Sequence, residues 1–240
     1  VPQDPEWHPE GDVWVHTFWV VDAANMVAER DGLTGDDKAA LLFTALCHDF
    51  AKPQTTKLRA KADGRERWTA YGHEEAGGPV ARAFMERIGA PKALTEKVVA
   101  LTVNHMKHIQ FKDGVGGQVK NVRKLATNLG AATIRELVRV MESDCSGRPP
   151  LPQQVPPTAV KMRDLAEANG CLDGPLVPCV KGQDLLDRGL TPGPAVGEWV
   201  RKAFDAQLNN VFSTREEALE WLERHLFGSK KRREEQQGGE

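Results

Sequence analysis

The sequence predicts an all-α protein in which a helical bundle is followed by an appended C-terminal helical subdomain. Apolar residues recur at the three- and four-residue spacing of amphipathic helices through most of the 240 residues. No segment shows a convincing strand-like alternation of apolar and polar residues, and no internal repeat is present. Proline and glycine fall between the helical segments, where they separate one helix from the next. With 40% hydrophobic residues, the chain can bury a sizeable core.

Composition and charge exclude several classes of protein. The formal net charge of −2 gives no overall attraction to nucleic acid or membrane, so nucleic-acid contact would depend on local basic patches. No apolar run approaches the ~18 residues that span a bilayer, and no charged-then-apolar leader is present, so a cytoplasmic protein without a membrane partner is expected. The cysteines form no CxxC pair, which argues against a thiolate zinc site and favours free thiols: Cys47, Cys145, Cys171 and Cys179.

The first two predicted helices lead directly to an unusual dipeptide. Residues 12–30 form a broad apolar helical face, with Asp12 as the N-cap. Thr34 is predicted to cap the second helix, whose apolar residues continue to Cys47 and into His48-Asp49. Pro53 is then predicted to stop this helix, because proline cannot continue the hydrogen-bond ladder.

Residues 52–72 lack periodicity and predict a loop with a local basic patch. Six cations stand against only Asp63 and Glu66: Lys52, Lys57, Arg59, Lys61, Arg65 and Arg67. A solvated loop is one interpretation, since charge runs usually face water. The other is attraction of a phosphorylated substrate to the neighbouring His48-Asp49.

The rest of the chain predicts further helices and one boundary. Helices are expected at 73–88, 91–108, 119–129, 132–143, 158–168, 183–188 and 194–208, and from a Ser213-x-x-Glu216 capping box to Phe227. The Pro-rich segment 149–157 predicts a linker between a domain of residues 1–148 and a subdomain of residues 158–227. The polar, low-complexity residues 228–240 predict a disordered tail.

His48-Asp49 suggests a metal site whose other ligands come from elsewhere in the chain. Adjacent helix residues project roughly 100° apart, so the pair can hold one ion only over the gap between them. Further histidines and carboxylates lie at or near predicted helix ends: His16, His73, His105, His108 and Asp144. A lone histidine on an apolar helix face is more often a core residue than a ligand, but an ordered set favours a site.

In the order His, His-Asp, His, His, Asp, the chain resembles the HD superfamily of metal-dependent phosphohydrolases. The segments that carry a closer resemblance, to the HD domain of bacterial CCA-adding enzymes (tRNA nucleotidyltransferases), are Trp7-His8-Pro9-Glu10-x-Asp12-x-x-x-His16-Thr17, Leu46-Cys47-His48-Asp49-x-x-Lys52, Gly72-His73-Glu74-x-Ala76-Gly77 and Asp144-x-x-Gly147-Arg148. Residues 182–197 and 213–219 are similar to the helical region that follows that domain. The resemblance implies an HD-domain helical bundle and covers nearly all of residues 1–226.

The resemblance implies a divalent metal ion and a set of roles. His16, His48, Asp49 and Asp144 would be its ligands, and mixed imidazole and carboxylate ligands suit Ni²⁺, Mn²⁺, Mg²⁺, Fe²⁺ or Zn²⁺ alike. Asp49, Lys52, His73 and His105 would be catalytic. Phosphate would contact Lys52, His73, His105, His108 and Arg148, with the choice between His105 and His108 left open because both lie on one helix face. His73 and His105 would either hold a second ion or act directly on the phosphate.

Each of these residues also has a structural interpretation. His73 could simply begin its helix, Lys52 could face a helix C-terminus, and Arg148 could hold the Pro-rich turn in place. His8 is predicted to be structural. A phosphate at the helix N-terminus near Gly193 is possible, but a helix that begins at Pro194 and packs on its neighbour is favoured.

The implied activity is hydrolysis of RNA ends or nucleotides, as a 2′,3′-cyclic phosphodiesterase, phosphatase or 2′-nucleotidase, with a tRNA 3′ end or a nucleotide as partner. The alternatives are a tRNA-binding module with a residual site, in which residues 158–227 hold the tRNA, and a nucleotidase for free deoxynucleotides. The family's nucleotidyltransferase head is absent from the sequence, so CCA addition is not expected. Phe50-Ala51 replaces the family's glycine between Asp49 and Lys52, where altered substrate preference is expected.

Overall fold

The computed structural model describes residues 1–60 and 64–227, and helices dominate this part of the chain. In order, the elements are α1 (Val13–Arg30), α2 (Gly35–Cys47), α3 (Lys52–Thr55), β1 (Lys57–Ala60), β2 (Glu66–Thr69), α4 (His73–Arg87), α5 (Lys92–Asn104), a 3₁₀ turn (Lys107–Phe111), α6 (Gln118–Asn128), α7 (Ile134–Ser146), α8 (Pro157–Ala168), α9 (Gly182–Leu186), α10 (Pro194–Leu208), α11 (Arg215–Leu222) and a π turn (Glu223–Phe227). The predicted all-α class is confirmed. Across residues 1–60 and 64–227, no helix combines the length and apolar character needed to cross a bilayer.

The predicted loop at 52–72 is instead a one-turn helix and a β-hairpin. β1 and β2 pair antiparallel from Lys57 opposite Thr69 to Ala60 opposite Glu66. The prediction was wrong here because every side chain of β1 is exposed, so the strand carries no alternation of buried and exposed residues. The hairpin tip, residues 61–63, lies outside the described residues, and with it Lys61 and Asp63 of the predicted basic patch.

Pro53 lies in the first turn of a helix, whereas the sequence predicted that it would end the preceding one. α2 already ends at Cys47, with His48 at its C-cap. Pro53 lies in the first turn of α3, where its missing N–H has no helical partner to lose. Thr34 precedes α2 without a capping side-chain hydrogen bond. Asp12 does cap α1, because its carboxylate accepts the backbone N–H groups of the first turn at 3.0 and 3.1 Å.

The capping box of α11 lies one residue later than predicted. Thr214 accepts the backbone N–H of Glu217 through its hydroxyl, and the Glu217 carboxylate accepts the Thr214 N–H in return. The sequence pattern fits both positions, since glutamates occupy 216 and 217. Tertiary structure selects between them, because the Ser213 hydroxyl accepts a hydrogen bond from Arg123 at 3.2 Å.

Three apolar clusters lie in the described part of the chain: a larger and a smaller one mark its two parts, and a third packs α4 against α2 and α5. The larger cluster joins α1, α2 and α5 to α6, α7 and α8, and it extends to Leu172. The smaller runs from Val180 to Leu222 in α9, α10 and α11. The predicted linker at 149–157 therefore lies inside the first cluster's sequence span, and the boundary there stays a prediction. The predicted tail at 228–240 lies outside the described residues.

Antiparallel packing brings five helix ends together. Short connections join α1 to α2 and α4 to α5, and each pair packs closely, as α1 also does against α7. The start of α1, the end of α2, the start of α4 and the ends of α5 and α7 consequently meet at one end of the bundle. His16, His48-Asp49, His73, His105 and Asp144 occupy these ends in that order.

Candidate metal centre

The four predicted metal ligands lie together in the interior of this bundle end. His16 Nε2 is 3.2 Å from a carboxylate oxygen of Asp144 and 3.8 Å from Oδ2 of Asp49. His48 Nε2 is 3.2 Å from the same Asp49 oxygen. His16, His48 and Asp49 are almost fully buried. Ligand atoms of His16, His48 and Asp49 therefore lie within 4.8 Å of one another with little access to water, and Asp144 joins them through its contact with His16.

Backbone carbonyls orient the histidine rings of the cluster. Each Nδ1 lies within hydrogen-bond distance of a carbonyl oxygen: His16 with Gly147 at 3.2 Å, His48 with Ala45 at 2.8 Å, His73 with Ala70 at 2.7 Å and His105 with Thr102 at 2.6 Å. A carbonyl only accepts hydrogen bonds, so each Nδ1 carries the proton and donates. The Nε2 atoms are left to face the cluster with their lone pairs.

No hydrogen-bond donor of the described residues contacts the Nε2 lone pairs of His16 and His48. Nε2 of His16 and of His48 is buried without a hydrogen-bond partner, and so are both carboxylate oxygens of Asp49. Lys52 Nζ is 2.6 Å from Asp49 Oδ2 but does not make a hydrogen bond of good geometry with it. Buried acceptors and charges of this kind are costly unless something compensates them. A divalent cation would compensate all of them at once, so the residues present fit a metal ion.

Asp49 also faces a second group of histidines. Its Oδ1 is 3.3 Å from His73 Nε2, which lies 3.2 Å from His105 Nε2. Since both Nδ1 atoms donate to carbonyls, the two Nε2 atoms present lone pairs to each other. A shared proton or a second cation would satisfy this contact. The Asp49 carboxylate thus bridges two adjacent sets of possible ligands.

Both aspartates remain ionised despite their burial. Burial raises the pKa of Asp49, but His48 and Lys52 outweigh it and hold the pKa well below the ordinary aspartate value. Burial likewise raises the pKa of Asp144, and the neighbouring His16 imidazole more than offsets it and holds the pKa well below the ordinary aspartate value. Ionised carboxylates are the form that binds metal ions.

The pKa values of His16 and His105 are shifted in opposite directions. Burial lowers the pKa of His16, but the neighbouring carboxylates of Asp144 and Glu10 outweigh it and raise the pKa to about 9. Burial, reinforced by the charge of His48, lowers the pKa of His105 to about 3. A positive charge is therefore stabilised between the two aspartates and disfavoured on His105.

A cavity of about 630 Å³ opens onto the cluster. The predicted site residues that line it are Asp49, Lys52, His73, His105, Asp144 and Arg148. Lys52 Nζ donates to Gln3 Oε1 at 2.6 Å, which holds the ammonium at the cavity wall beside Asp49. Arg148 lies along the same wall with its Nε buried and unpartnered. Two cations therefore face the space next to the buried acceptors.

The structure distinguishes the two histidines that the sequence left open. His105 lies in the cluster, whereas His108 Nδ1 lies 2.7 Å from the Thr158 hydroxyl at the start of α8. His108 is not among the residues that line the cavity. The reason is that α5 ends at Asn104 and a 3₁₀ turn follows, so residues 105 and 108 no longer share one α-helical face.

Glu10 is a site residue to which the sequence assigned no role. Its Oε1 lies 2.7 Å from His16 Nδ1 and 2.8 Å from His8 Nδ1. Burial raises the pKa of Glu10, but the hydrogen bonds with His16 and His8 outweigh it and bring the pKa to about 2. A carboxylate behind a metal-binding imidazole fixes the ring and increases its basicity. In the sequence, the one feature that could have indicated this role is the position of Glu10 in the segment before His16.

Comparison with known proteins gives a consistent result. The HD domain family model matches residues 13–144. The chain is similar to the multifunctional CCA protein of Halorhodospira halophila, with 32% identity over 204 residues that cover 85% of this chain and 43% of that protein. It is also similar to the multifunctional CCA proteins of Hahella chejuensis (26% identity; 84% of this chain, 42% of that protein) and Pasteurella multocida (35%; 40% and 20%). The chain thus spans less than half the length of these relatives. No solved structure is significantly similar to it.

Proposed function

The chain belongs to the HD domain family of metal-dependent phosphohydrolases, and from that premise we propose that it hydrolyses phosphoesters at RNA ends or in nucleotides. The proposed reactions are those of a 2′,3′-cyclic phosphodiesterase, a phosphatase or a 2′-nucleotidase. The observation that carries the proposal is the set of buried, unpartnered imidazole and carboxylate acceptors beneath a cavity with cationic walls. The similarity to CCA proteins supports an RNA end among the possible substrates.

In this proposal His16, His48, Asp49 and Asp144 hold one divalent ion. The bound ion would supply Lewis acidity, which lowers the pKa of a water molecule and neutralises charge on phosphoryl oxygens. Mixed nitrogen and oxygen ligands accept Mn²⁺, Ni²⁺, Fe²⁺, Zn²⁺ or Mg²⁺. Glu10 positions His16 from behind through its 2.7 Å contact with Nδ1.

Lys52 and Arg148 bind the substrate phosphate. Lys52 acts as a point charge, and its position is held by Gln3 on one side and Asp49 on the other. Arg148 offers a planar guanidinium that can donate two parallel hydrogen bonds to phosphate oxygens. Both residues line the cavity that leads to the cluster.

His73 and His105 hold a proton that can be given to the leaving oxygen. Their Nε2 atoms lie 3.2 Å apart, and both Nδ1 atoms are fixed by carbonyls. Because a positive charge is disfavoured on His105, the proton resides on Nε2 of His73, a residue of the cavity wall, from which general-acid transfer can take place. In the alternative, His73, His105 and Asp49 would hold a second cation in place of the proton.

Metal dependence and the role of Asp49 provide the direct test. Protein dialysed against a chelator is expected to regain cleavage of adenosine 2′,3′-cyclic phosphate when Mn²⁺ or Ni²⁺ is added. Asp49→Ala is expected to keep its circular dichroism spectrum, bind less metal by elemental analysis and lose activity. Asp205→Ala, which removes an exposed carboxylate of α10, is the matched control. Inert wild-type protein with metal restored, or an active Asp49→Ala variant, would contradict the proposal.

A substrate panel separates RNA ends and cyclic nucleotides from free deoxynucleotides. Adenosine 2′,3′-cyclic phosphate, nucleoside 2′-monophosphates, 5′-monophosphates and deoxynucleoside triphosphates are compared at one metal concentration. The proposal predicts the highest kcat/KM for the first two. A clear preference for deoxynucleoside triphosphates would favour the alternative nucleotidase.

A further inference from the structure

Three exposed aromatic rings line the cavity beyond the metal ligands. Trp7 is 59% exposed, Trp68 is 37% exposed and Tyr71 is 66% exposed. Tyr71 is the single tyrosine of the chain, and the two tryptophans are among six. Large rings contribute most when buried, so three of them around one water-accessible cavity call for a ligand that covers them.

The β-hairpin fixes two of these rings in relation to the cluster. Trp68 lies on β2 directly opposite Leu58 of β1. Tyr71 follows β2 and precedes His73, the first residue of α4, by two positions. The Arg59 guanidinium lies 5.4 Å from the centre of the Tyr71 ring, which is a cation–π distance. The rings are therefore held by ordered backbone at the entrance to the cluster.

The cavity combines these rings with cations and a suitable volume. Lys112 and Arg148 line it together with the rings, so aromatic faces and positive charges share one space. Its volume of about 630 Å³ lies within the roughly 300–1,000 Å³ of small-molecule sites. Aromatic faces stack on nucleobases and cations contact phosphate, a combination typical of proteins that bind single-stranded nucleic acid.

We propose that the hairpin and the N-terminal segment form a nucleobase-binding subsite, in which the base of one unpaired nucleotide stacks on Tyr71 and Trp68 while its phosphate faces the metal ligands. Trp7 lines the same cavity from the N-terminal segment, whose Glu6 is in contact with Arg67 of β2. This inference rests on the proposed function and deepens it, because it names an unpaired nucleotide as the substrate unit. A base must leave its helix before its face can lie on a side chain, so paired nucleotides are excluded.

Binding of matched ligands with and without a base tests the subsite. Isothermal titration calorimetry of chelator-dialysed protein, which should cleave neither ligand, compares adenosine 2′-monophosphate with ribose 2-monophosphate, which keeps the sugar and phosphate. Tyr71→Ala and Trp68→Ala are each expected to weaken binding of the adenosine ligand about tenfold, since stacking contributes about 1–3 kcal/mol per base. Binding of the base-free ligand should not change.

Two further sets of variants keep the test independent of folding. Tyr71→Phe and Trp68→Phe retain a ring and are expected to restore most of the affinity. Trp14→Ala removes an indole that is 68% exposed on α1 and does not line the cavity, so it should affect neither ligand. Equal weakening of both ligands, or no weakening of the adenosine ligand, would overturn the subsite.

The subsite and the proposed function can fail separately. Wild-type protein that prefers the adenosine ligand but cleaves no phosphoester would support the subsite and overturn the function. Wild-type protein that cleaves base-free and base-containing 2′,3′-cyclic phosphates with equal kcat/KM, and binds both products equally, would overturn the subsite and support the function. An RNA hairpin with one unpaired 3′ nucleotide identifies the source of the base: tighter binding than the mononucleotide supports an RNA end, and equal binding supports a free nucleotide.

Discussion

At the scale of single residues, the candidate metal centre depends on which ring nitrogen carries the proton. The backbone carbonyls of Ala45, Ala70 and Thr102 each accept a hydrogen bond from the Nδ1–H of a histidine three residues later. The spacing of three is a consequence of local backbone geometry at a helix end, so the same short segment supplies both the imidazole and its orienting acceptor. Nε2, the other ring nitrogen, then faces the cluster with its lone pair.

Glu10 gives the sharpest prediction at this scale. Glu10→Gln replaces a carboxylate that accepts from both His16 and His8 with a neutral amide of nearly the same shape. Metal affinity, measured by competition with a chelator, is expected to fall about 10–100-fold, because the imidazole becomes less basic and less well oriented. The exposed Glu86→Gln is the control. Unchanged affinity in the Glu10 variant would mean that the contact has no effect on the centre.

At the scale of elements, close packing of α1 against the end of α7 brings two ligands together. Gly147 follows α7, and a Cβ built on it would lie 2.8 Å from backbone atoms of Val20 in α1. His16 lies one turn before Val20 in α1, and Asp144 lies one turn before Gly147 at the end of α7. The distance between these two ligands is thus set by the absence of a side chain at Gly147.

Gly147→Ala is therefore expected to weaken both folding and metal binding. The added methyl group must push α1 and α7 apart, which costs about 1–3 kcal/mol of unfolding free energy, and metal affinity should fall with it. Urea denaturation and chelator competition measure the two effects. Gly174→Ala, where a Cβ meets nothing within 4 Å, is the control. A Gly147→Ala variant that matches Gly174→Ala in both measurements would show that the helices can separate without consequence.

At the scale of the whole molecule, we expect metal binding to be coupled to folding. The proposed ligands come from α1, the turn after α2 and the end of α7, which meet only in the folded bundle, so an ion should bind the native state far better than the unfolded chain. Without it, the bundle end contains buried acceptors that lack donors. Stability should depend on metal concentration.

Thermal unfolding tests this coupling. At a metal concentration of about 100 Kd, linkage stabilises the native state by about 2.7 kcal/mol, which corresponds to a rise in Tm of about 5–10 °C for a chain of this size. Addition of EDTA should reverse the rise. Asp49→Ala should show little or no rise, because the variant lacks the carboxylate shared by both groups of histidines. A Tm that does not respond to metal in the wild-type protein would contradict the coupling.

Much of the fold was predictable because local signals determined it. Helical periodicity and the Asp12 cap located α1, and a predicted helix start at Pro194 and end at Leu208 agree with α10. The hairpin escaped prediction because its exposed residues carry no pattern of burial. The cap of α11 was placed one residue early because Ser213 and Thr214 fit the same motif, and only the contact from Arg123 separates them.

The sequence by itself determined the helical class and the order of histidines and aspartates, since both are properties of residue type and spacing along the chain. Tertiary structure alone decided that His105 and not His108 faces the cluster, that Asp49 lies between two pairs of histidines, and that Glu10 supports His16. It also decided that Trp68 and Tyr71 line the same cavity as these residues. The physical reason is that helix packing and turn geometry bring together residues that are far apart in sequence, and no local pattern records those distances.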